Sequence, residues 1–345
     1  MLNCKYGLLV CIASAAACGG SEPSKSEAQP RTTTQSIIGG KMDSTTKAVV
    51  LVGRPGLTCS GTLVSEDVVL TAAHCLAVNL PKGECERDYP AVMTAPADII
   101  VAVANSAADD PNAFALDVAS VVPVSGAKKL CGNDIVALRL SRPTTVVPLV
   151  PRLDAPPMEG GRVSVVGFGN IKPGDDASAG KRLRRDDATI THVGVRPASP
   201  QHGEMAAEDL ALSIGACKGD SGGPALVDDA VVGVMSRGDA TTCTDMMYTR
   251  LDVHAAWLTK IVRDAAEARG GTAPSWAIAK EEPTDDAGLP PLGPPGAAPA
   301  SAASGDSSGK GCSFAAYSGG ACNVAALAGL AAALAARRRL RRRAR

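Results

Sequence analysis

The run Gly219-Asp220-Ser221-Gly222-Gly223-Pro224 constrains the fold of this chain more than any other stretch. Glycines around Ser221 fit a tight turn that presents the hydroxyl and lets two backbone N–H groups converge beside it. A serine hydroxyl is a poor nucleophile near neutral pH, so such a turn does chemistry only where a base and an orienting acid meet it. Two distant segments offer them. Thr71-Ala72-Ala73-His74-Cys75 brings a histidine, and Gly132-Asn133-Asp134-Ile135-Val136-Ala137-Leu138 brings an aspartate before an apolar, strand-like run. The fold must gather three far-separated segments at one point.

The order His, Asp, Ser and the three surrounding motifs resemble the trypsin/chymotrypsin-type serine proteases. The resemblance runs from Ile37-Ile38-Gly39-Gly40 to about Trp257-Leu258. It implies an all-β fold of two antiparallel six-stranded barrels, with the site in the cleft between them and a C-terminal helix around Val253 to Ala268. The alternating stretch Arg162-Val163-Ser164-Val165-Val166-Gly167-Phe168 suits a barrel strand. The implied activity is endopeptidase action on protein or peptide substrates through an acyl-enzyme on Ser221. It needs no cofactor and no metal.

In the roles the resemblance carries, His74 is the base and Asp134 holds its imidazole. The N–H groups of Gly219 and Ser221 form an oxyanion hole. Asp220 is expected to pair with a new amino terminus at Ile37, released by cutting after Ser36, so the chain is expected to be made as a zymogen. The chain's other histidines, His192, His202 and His254, lie outside these motifs and read as structural.

The specificity pocket leaves two readings open. Trypsins carry a fixed aspartate six residues before the nucleophile; here that position is Gly215. The back wall comes from Ser236-Arg237-Gly238 and Asp245-Met246-Met247-Tyr248. Counted back from Tyr248, Met246 falls where a small residue keeps the pocket deep, which favours substrates with Ala, Ser or Val before the scissile bond. A one-residue gap would instead aim Asp245 into the pocket and restore a preference for Lys or Arg. Arg237 replaces the aromatic residue usual in the groove, which suits acidic substrate side chains.

The chain holds eleven cysteines, pointing to an oxidising compartment, and six of them lie in the protease-like segment. The resemblance pairs Cys59 with Cys75 and Cys217 with Cys243, leaving Cys85 and Cys131 for each other by elimination. A metal site has no supporting Cys-x-x-Cys spacing. Glu84, Glu86 and Asp88 form a small acidic insertion, for which calcium binding and plain solvation are the two readings.

Lysine plus arginine and aspartate plus glutamate both number 35, but seven of the arginines lie in residues 337–345. The remaining body carries 28 basic against 35 acidic residues, which excludes a nucleic-acid surface, as does the 3% aromatic content. Residues 1–18 read as a signal peptide whose Cys18 is either lipidated, as in bacterial lipoproteins, or left behind by ordinary cleavage near Ala17. Residues 19–36 read as a propeptide, 37–268 as the protease domain, and 269–310 as a Pro/Ala/Gly/Ser-rich linker. Residues 311–345 combine Gly311-Cys312-Ser313, an uncharged Ala/Leu-rich stretch and the arginine cluster. They resemble the MYXO-CTERM sorting tag of bacterial surface proteins; a simple tail anchor or a surface helix is the plainer reading. The whole describes an exported monomer held at the outer membrane or cell surface, or extracellular. The rival class is a catalytically idle protease fold used as a surface-binding module, but such proteins usually lose a triad residue and this chain keeps all three.

Overall fold

The computed structural model describes residues 37, 39–79, 87–107, 110–170, 175, 179–199, 203–239 and 241–278. Strands β1 (Lys41–Met42) to β14 (Thr244–Arg250) form two antiparallel sheets, and a helix follows the last strand. The first sheet contains β2 (Val49–Arg54), β3 (Leu57–Ser65), β4 (Val68–Thr71), β5 (Ile100–Val103), β6 (Phe114–Leu116), β7 (Val118–Pro123) and β8 (Val136–Leu140). Its order is β6-β5-β2-β3-β4-β8-β7. The second contains β1, β9 (Arg162–Gly167), β10 (Leu183–Val193), β11 (Asp209–Leu212), β12 (Pro224–Val227), β13 (Ala230–Asp239) and β14. Its order is β1-β10-β11-β14-β13-β12-β9, and a β10–β9 pairing closes six of the strands into a barrel.

The expectation of two six-stranded barrels needs one correction. The second sheet is a closed barrel, whereas the first is a curled half-barrel. Its two end strands, β6 and β7, are consecutive and separated by Asp117 alone. β6 pairs only with β5, and β7 only with β8. At the break the Asp117 carbonyl accepts the N–H of Ser141 rather than continuing a ladder. The bend at one residue replaces the last row of strand-to-strand hydrogen bonds.

The period-2 alternation of side chains divides the interior in two. Val50 and Val52 of β2, Val69 of β4, and Val136 and Leu138 of β8 fill the half-barrel. Their neighbours Val49, Leu51, Val68, Leu70 and Ala137 point the other way, into a second cluster with Phe168, Leu226, Val234 and Leu258. That shared cluster joins the half-barrel, the barrel and the helix. The helix α2 (Ala255–Ala268) buries Leu258, Ile261, Val262, Ala265 and Ala266, the i, i+3, i+4, i+7, i+8 stripe of an amphipathic helix. Each large aliphatic side chain buried there contributes about 1.5–3 kcal/mol. The observed helix starts two residues inside the expected boundary, after a 3₁₀ turn over Asp252–His254.

Arg182, fully buried, sits where segments of both sheets meet. Its guanidinium donates to the carbonyls of Asp43 (3.2 Å), Val49 (3.2 Å) and Ala104 (2.9 Å) and to Asn105 Oδ1 (2.6 Å). Nothing in the sequence distinguishes this arginine from its exposed neighbours. A buried cation is tolerated only when its donors are matched, as here. No helix among the described residues is long and apolar enough to cross a membrane. The expected signal and C-terminal tag lie outside the described residues, as does the expected linker beyond residue 278. The linker's first residues are described, and the 3₁₀ turn Ser275–Ala277 packs Ala277 into the shared core cluster.

Candidate active site

His74 lies in α1 (Ala73–Leu76), a single helical turn directly after β4. The Cys59–Cys75 disulfide ties that turn to β3 across 16 residues of chain, a loop size worth about 3 kcal/mol against the unfolded state. Asp134 sits two residues before β8, which pairs with β4, so adjacent strands deliver the base and the acid.

The two groups are closely wired. His74 Nδ1 lies 2.7 Å from Asp134 Oδ2, and the His74 backbone N–H donates to Asp134 Oδ1 at 2.9 Å. Ser236 Oγ donates to Asp134 Oδ2 at 2.7 Å. Asp134 is 2% exposed. Its burial alone would raise the carboxyl pKa, but the charge and hydrogen bonds of His74, together with Ser236, outweigh that and hold it below the usual carboxylate range. The sequence places Ser236 in the pocket wall; the structure makes it the third donor to the aspartate.

Ser221 approaches from the barrel. Its carbonyl accepts the Ser60 N–H at 2.8 Å, and the next N–H, of Gly222, bonds the Met235 carbonyl at 2.8 Å. A Cβ at Gly222 would fall 2.3 Å from both the Ser60 carbonyl and Thr71 Oγ1, so only glycine lets this turn approach β3 and β4. Ser60 is a clamp that the motifs did not reveal. Its Oγ donates to the Gly219 carbonyl (3.0 Å) and accepts the Phe168 N–H (2.9 Å). The single clue to it was its place directly after Cys59. Cys75 Sγ lies 3.7 Å from His74 Nε2 and 3.8 Å from the Ser221 carbonyl, so the outer edge of the imidazole and the serine turn flank the same sulfur. Among the described residues Ser221 Oγ makes no hydrogen bond to the imidazole.

Gly219 has φ +99°, which favours glycine. Among the described residues no internal acceptor takes the N–H of Gly219 or of Ser221. Between them Asp220 turns inward, 2% exposed, accepting the N–H groups of Gly169 (2.7 Å) and Cys217 (2.8 Å). No cation pairs with it among the described residues, and burial pushes its carboxyl up to about 7 against the pull of those two N–H groups. Side chains at Gly167 or Gly169 would collide with its oxygens. Ile37 is 1% exposed and shares a core cluster with Ala216 and Cys217, near this carboxyl's loop. The expected ion pair of Ile37 with Asp220 is not formed in this uncut chain.

The pocket residues separate. A Cβ at Gly215 would meet Val165 Cγ2 at 2.7 Å and Ile37 Cγ2 at 3.9 Å, so this position packs into the barrel core. Met246 is 1% exposed, and a Cβ at Gly238 would fall 2.6 Å from its Sδ and 2.9 Å from its Cε. The thioether therefore lies against the Gly238 wall. Asp245 is engaged elsewhere: Oδ1 is 2.7 Å from Arg196 Nη2, and Oδ2 accepts the Gly203 N–H at 2.8 Å.

Cys217 bonds Cys243. Cys131 is disulfide-bonded to a partner outside the described residues, where Cys85 also lies. Of the acidic insertion only Asp88 is described, and it pairs with Lys129 at 3.1 Å. His202 lies outside the described residues. His192 contacts Glu159 (3.1 Å) at the surface, and buried His254 bonds the Gly132 carbonyl (2.8 Å).

A paired histidine and aspartate on a half-barrel, facing a serine turn on a closed barrel, define a serine endopeptidase of the two-barrel type. The family model for trypsin matches residues 37–258, and the chain belongs to that family. It is similar to the serine protease SP24D of Anopheles gambiae, 32% identical over 206 residues, covering 57% of this chain and 70% of that protein. It is also similar to the venom plasminogen activator Haly-PA of Gloydius brevicauda, 26% identical over 255 residues and covering 66% and 87% of the two chains. The solved structure of neuropsin, a serine protease of mouse brain, shares the fold with a TM-score of 0.51 at 17% identity. That match covers 65% of this chain and 99% of neuropsin.

Proposed function

We propose that this endopeptidase is exported as a zymogen, matures by cleavage between Ser36 and Ile37, and cuts peptide bonds after small, neutral residues. The carrying observation is the hydrogen-bonded series Ser236–Asp134–His74 beside a serine turn whose two N–H groups find no acceptor among the described residues. His74 takes the Ser221 Oγ proton as Oγ bonds the carbonyl carbon. The oxygen of that carbonyl gains negative charge, for which the N–H groups of Gly219 and Ser221 are the available donors. His74 then returns the proton to the departing amine as the C–N bond breaks, leaving an acyl group on Ser221 that water removes by the same route. Asp134 keeps Nδ1 protonated so that Nε2 can accept.

Met246 against Gly238 supports small side chains before the scissile bond, and the engagement of Asp245 with Arg196 and Gly203 argues against the basic preference. Ser36, small and neutral, fits the same pocket, so self-activation follows. The domain reading stands as part of this proposal: signal to residue 18, propeptide to 36, protease to 268, linker to 310, and a surface-sorting tag to 345.

The test uses the full chain and its Ser221→Ala variant. After incubation the native chain alone should lose residues 1–36 and be labelled on Ser221 by an active-site phosphonate. Equal maturation of both forms, and only in host extract, would assign the cut to another protease. Absence of labelling in a matured chain would leave the binding-module reading.

A further inference from the structure

Asp134 sits in a loop whose neighbours on both sides are gripped by side chains from other elements. Two residues before it, the Gly132 carbonyl accepts the His254 Nε2–H at 2.8 Å, from 122 residues along the chain. One residue after it, the Ile135 carbonyl accepts the Tyr89 hydroxyl at 2.9 Å, and that hydroxyl accepts the Val124 N–H at 3.3 Å. Two residues after it, Val136 stands opposite Pro123 in the β7–β8 register, and the Pro123 carbonyl accepts the Trp257 Nε1–H at 2.9 Å. His254 ends the 3₁₀ turn before α2 and Trp257 lies in the first turn of α2, their rings edge to face with centroids 6.1 Å apart.

The grip on Gly132 depends on close approach. Gly132 has φ +72°, and a Cβ there would fall 2.5 Å from Glu208 Oε2 and 3.1 Å from the Ala206 Cβ, so only glycine lets this loop meet the segment before β11. His254 is 6% exposed. A carbonyl can only accept, so Nε2 carries the hydrogen. Burial depresses the pKa of the ring against the pull of Glu208, Asp252 and Asp209; Asp252 is itself paired with Arg250, and Asp209 with Arg237. The imidazole is therefore neutral near pH 7, and its single N–H is committed to Gly132.

The carboxylate two residues on must present Oδ2 to His74 Nδ1 and Oδ1 to the His74 N–H at the same time. A misplacement of about 1 Å, caused far from the reacting atoms, can cost about 10²-fold in rate. We propose that His254 is a positioning residue for Asp134: by fixing the Gly132 carbonyl it sets where the carboxylate meets His74. The proposal rests on the endopeptidase activity and adds to its machinery a residue from outside the three motifs. Tyr89 and Trp257 still hold the far side of the loop when His254 is lost, so the effect is smaller than removal of the carboxylate itself.

The experiment uses the matured full chain, its concentration set by exhaustive phosphonate labelling of Ser221. His254→Phe keeps a ring beside Trp257 and removes the donor, whereas His254→Gln restores an N–H at a similar reach. In His254→Phe kcat should fall by about 10- to 100-fold with KM changed by less than about twofold, and His254→Gln should return to within about threefold of native. In an Asp134→Asn background His254→Phe should cost less than about twofold more, because the group it positions no longer acts. Should the larger ring prevent folding, His254→Leu removes the donor with less bulk and takes its place.

Equal losses in His254→Phe and His254→Gln would assign the effect to packing and overturn the proposal. The same holds for a loss repeated in full on Asp134→Asn, or for a His254→Phe kcat within about twofold of native. A native chain that matures but never labels on Ser221 overturns the endopeptidase activity together with the proposal.

Discussion

The half-barrel and the barrel meet at one cleft but stand in different states of completion. On the half-barrel every polar atom of Asp134 that matters has a partner, through His74 and Ser236. On the barrel, the turn at Gly219–Ser221 holds N–H donors and a buried carboxyl that, among the described residues, have no internal acceptor and no counter-charge respectively. The difference teaches where control resides. The proton-handling half is assembled by folding alone, whereas the serine half keeps groups without partners among the described residues; under the proposed zymogen activation a cationic terminus at Ile37 would meet one of them.

The largest expected effect tests the completed half. Asp134→Asn keeps the shape but lets the imidazole adopt the wrong tautomer, so kcat should fall by about 10⁴-fold with little change in KM. A loss under tenfold would mean that the half-barrel wiring is not what the chemistry uses.

A smaller effect is expected at the pocket. Met246→Ala removes the thioether from the Gly238 wall and should raise kcat/KM for Leu or Phe, relative to Ala, by about 10- to 100-fold. The variant also loses buried apolar area, so its melting temperature should drop; the ratio of substrates, not the absolute rate, is the readout. An unchanged ratio would show that Met246 does not set the pocket's depth.

The smallest effect isolates the incomplete half. In the uncut chain the Asp220 carboxyl titrates near 7, above its unfolded value of 3.8. Its contribution to stability is full below the unfolded value and is lost as pH rises through 7. The inactive Ser221→Ala chain, uncut, should therefore gain a few degrees in melting temperature between pH 8 and 6. The same chain cut after Ser36 should lack that gain, because an ammonium at Ile37 would hold the carboxylate ionised. His254, whose burial depresses its pKa, loses stability as pH falls below 6.5, but it does so in both forms and cancels in the comparison. Equal slopes for the two forms would show that Ile37 does not reach Asp220.

What the sequence made legible was chemistry tied to rare local patterns. Ser221, His74 and Asp134 each sit in a motif that few other folds need, and the strand over 162–167 announced itself by alternation. What stayed hidden were groups whose role is to touch something distant. Ser60 reads as one more strand serine until β3 meets the Gly219 loop. Arg182 looks like any charged residue until four acceptors from elsewhere surround it. The two-barrel architecture was legible, but not that one barrel is curled rather than closed, since no periodicity distinguishes a strand from one bent at Asp117.

That bend also bears on what the sheet edges offer to another chain. An open sheet offers unpaired N–H and carbonyl groups along its edges, templates on which another chain can build. Here the half-barrel's edges are a three-residue strand and its immediate successor, kinked at a charged residue. The outer strand of the other sheet is only Lys41 and Met42. Strands β6 and β1 are too short to template a stable intermolecular pairing, and the six-residue β7 ends at Pro123, which has no N–H to offer an incoming strand.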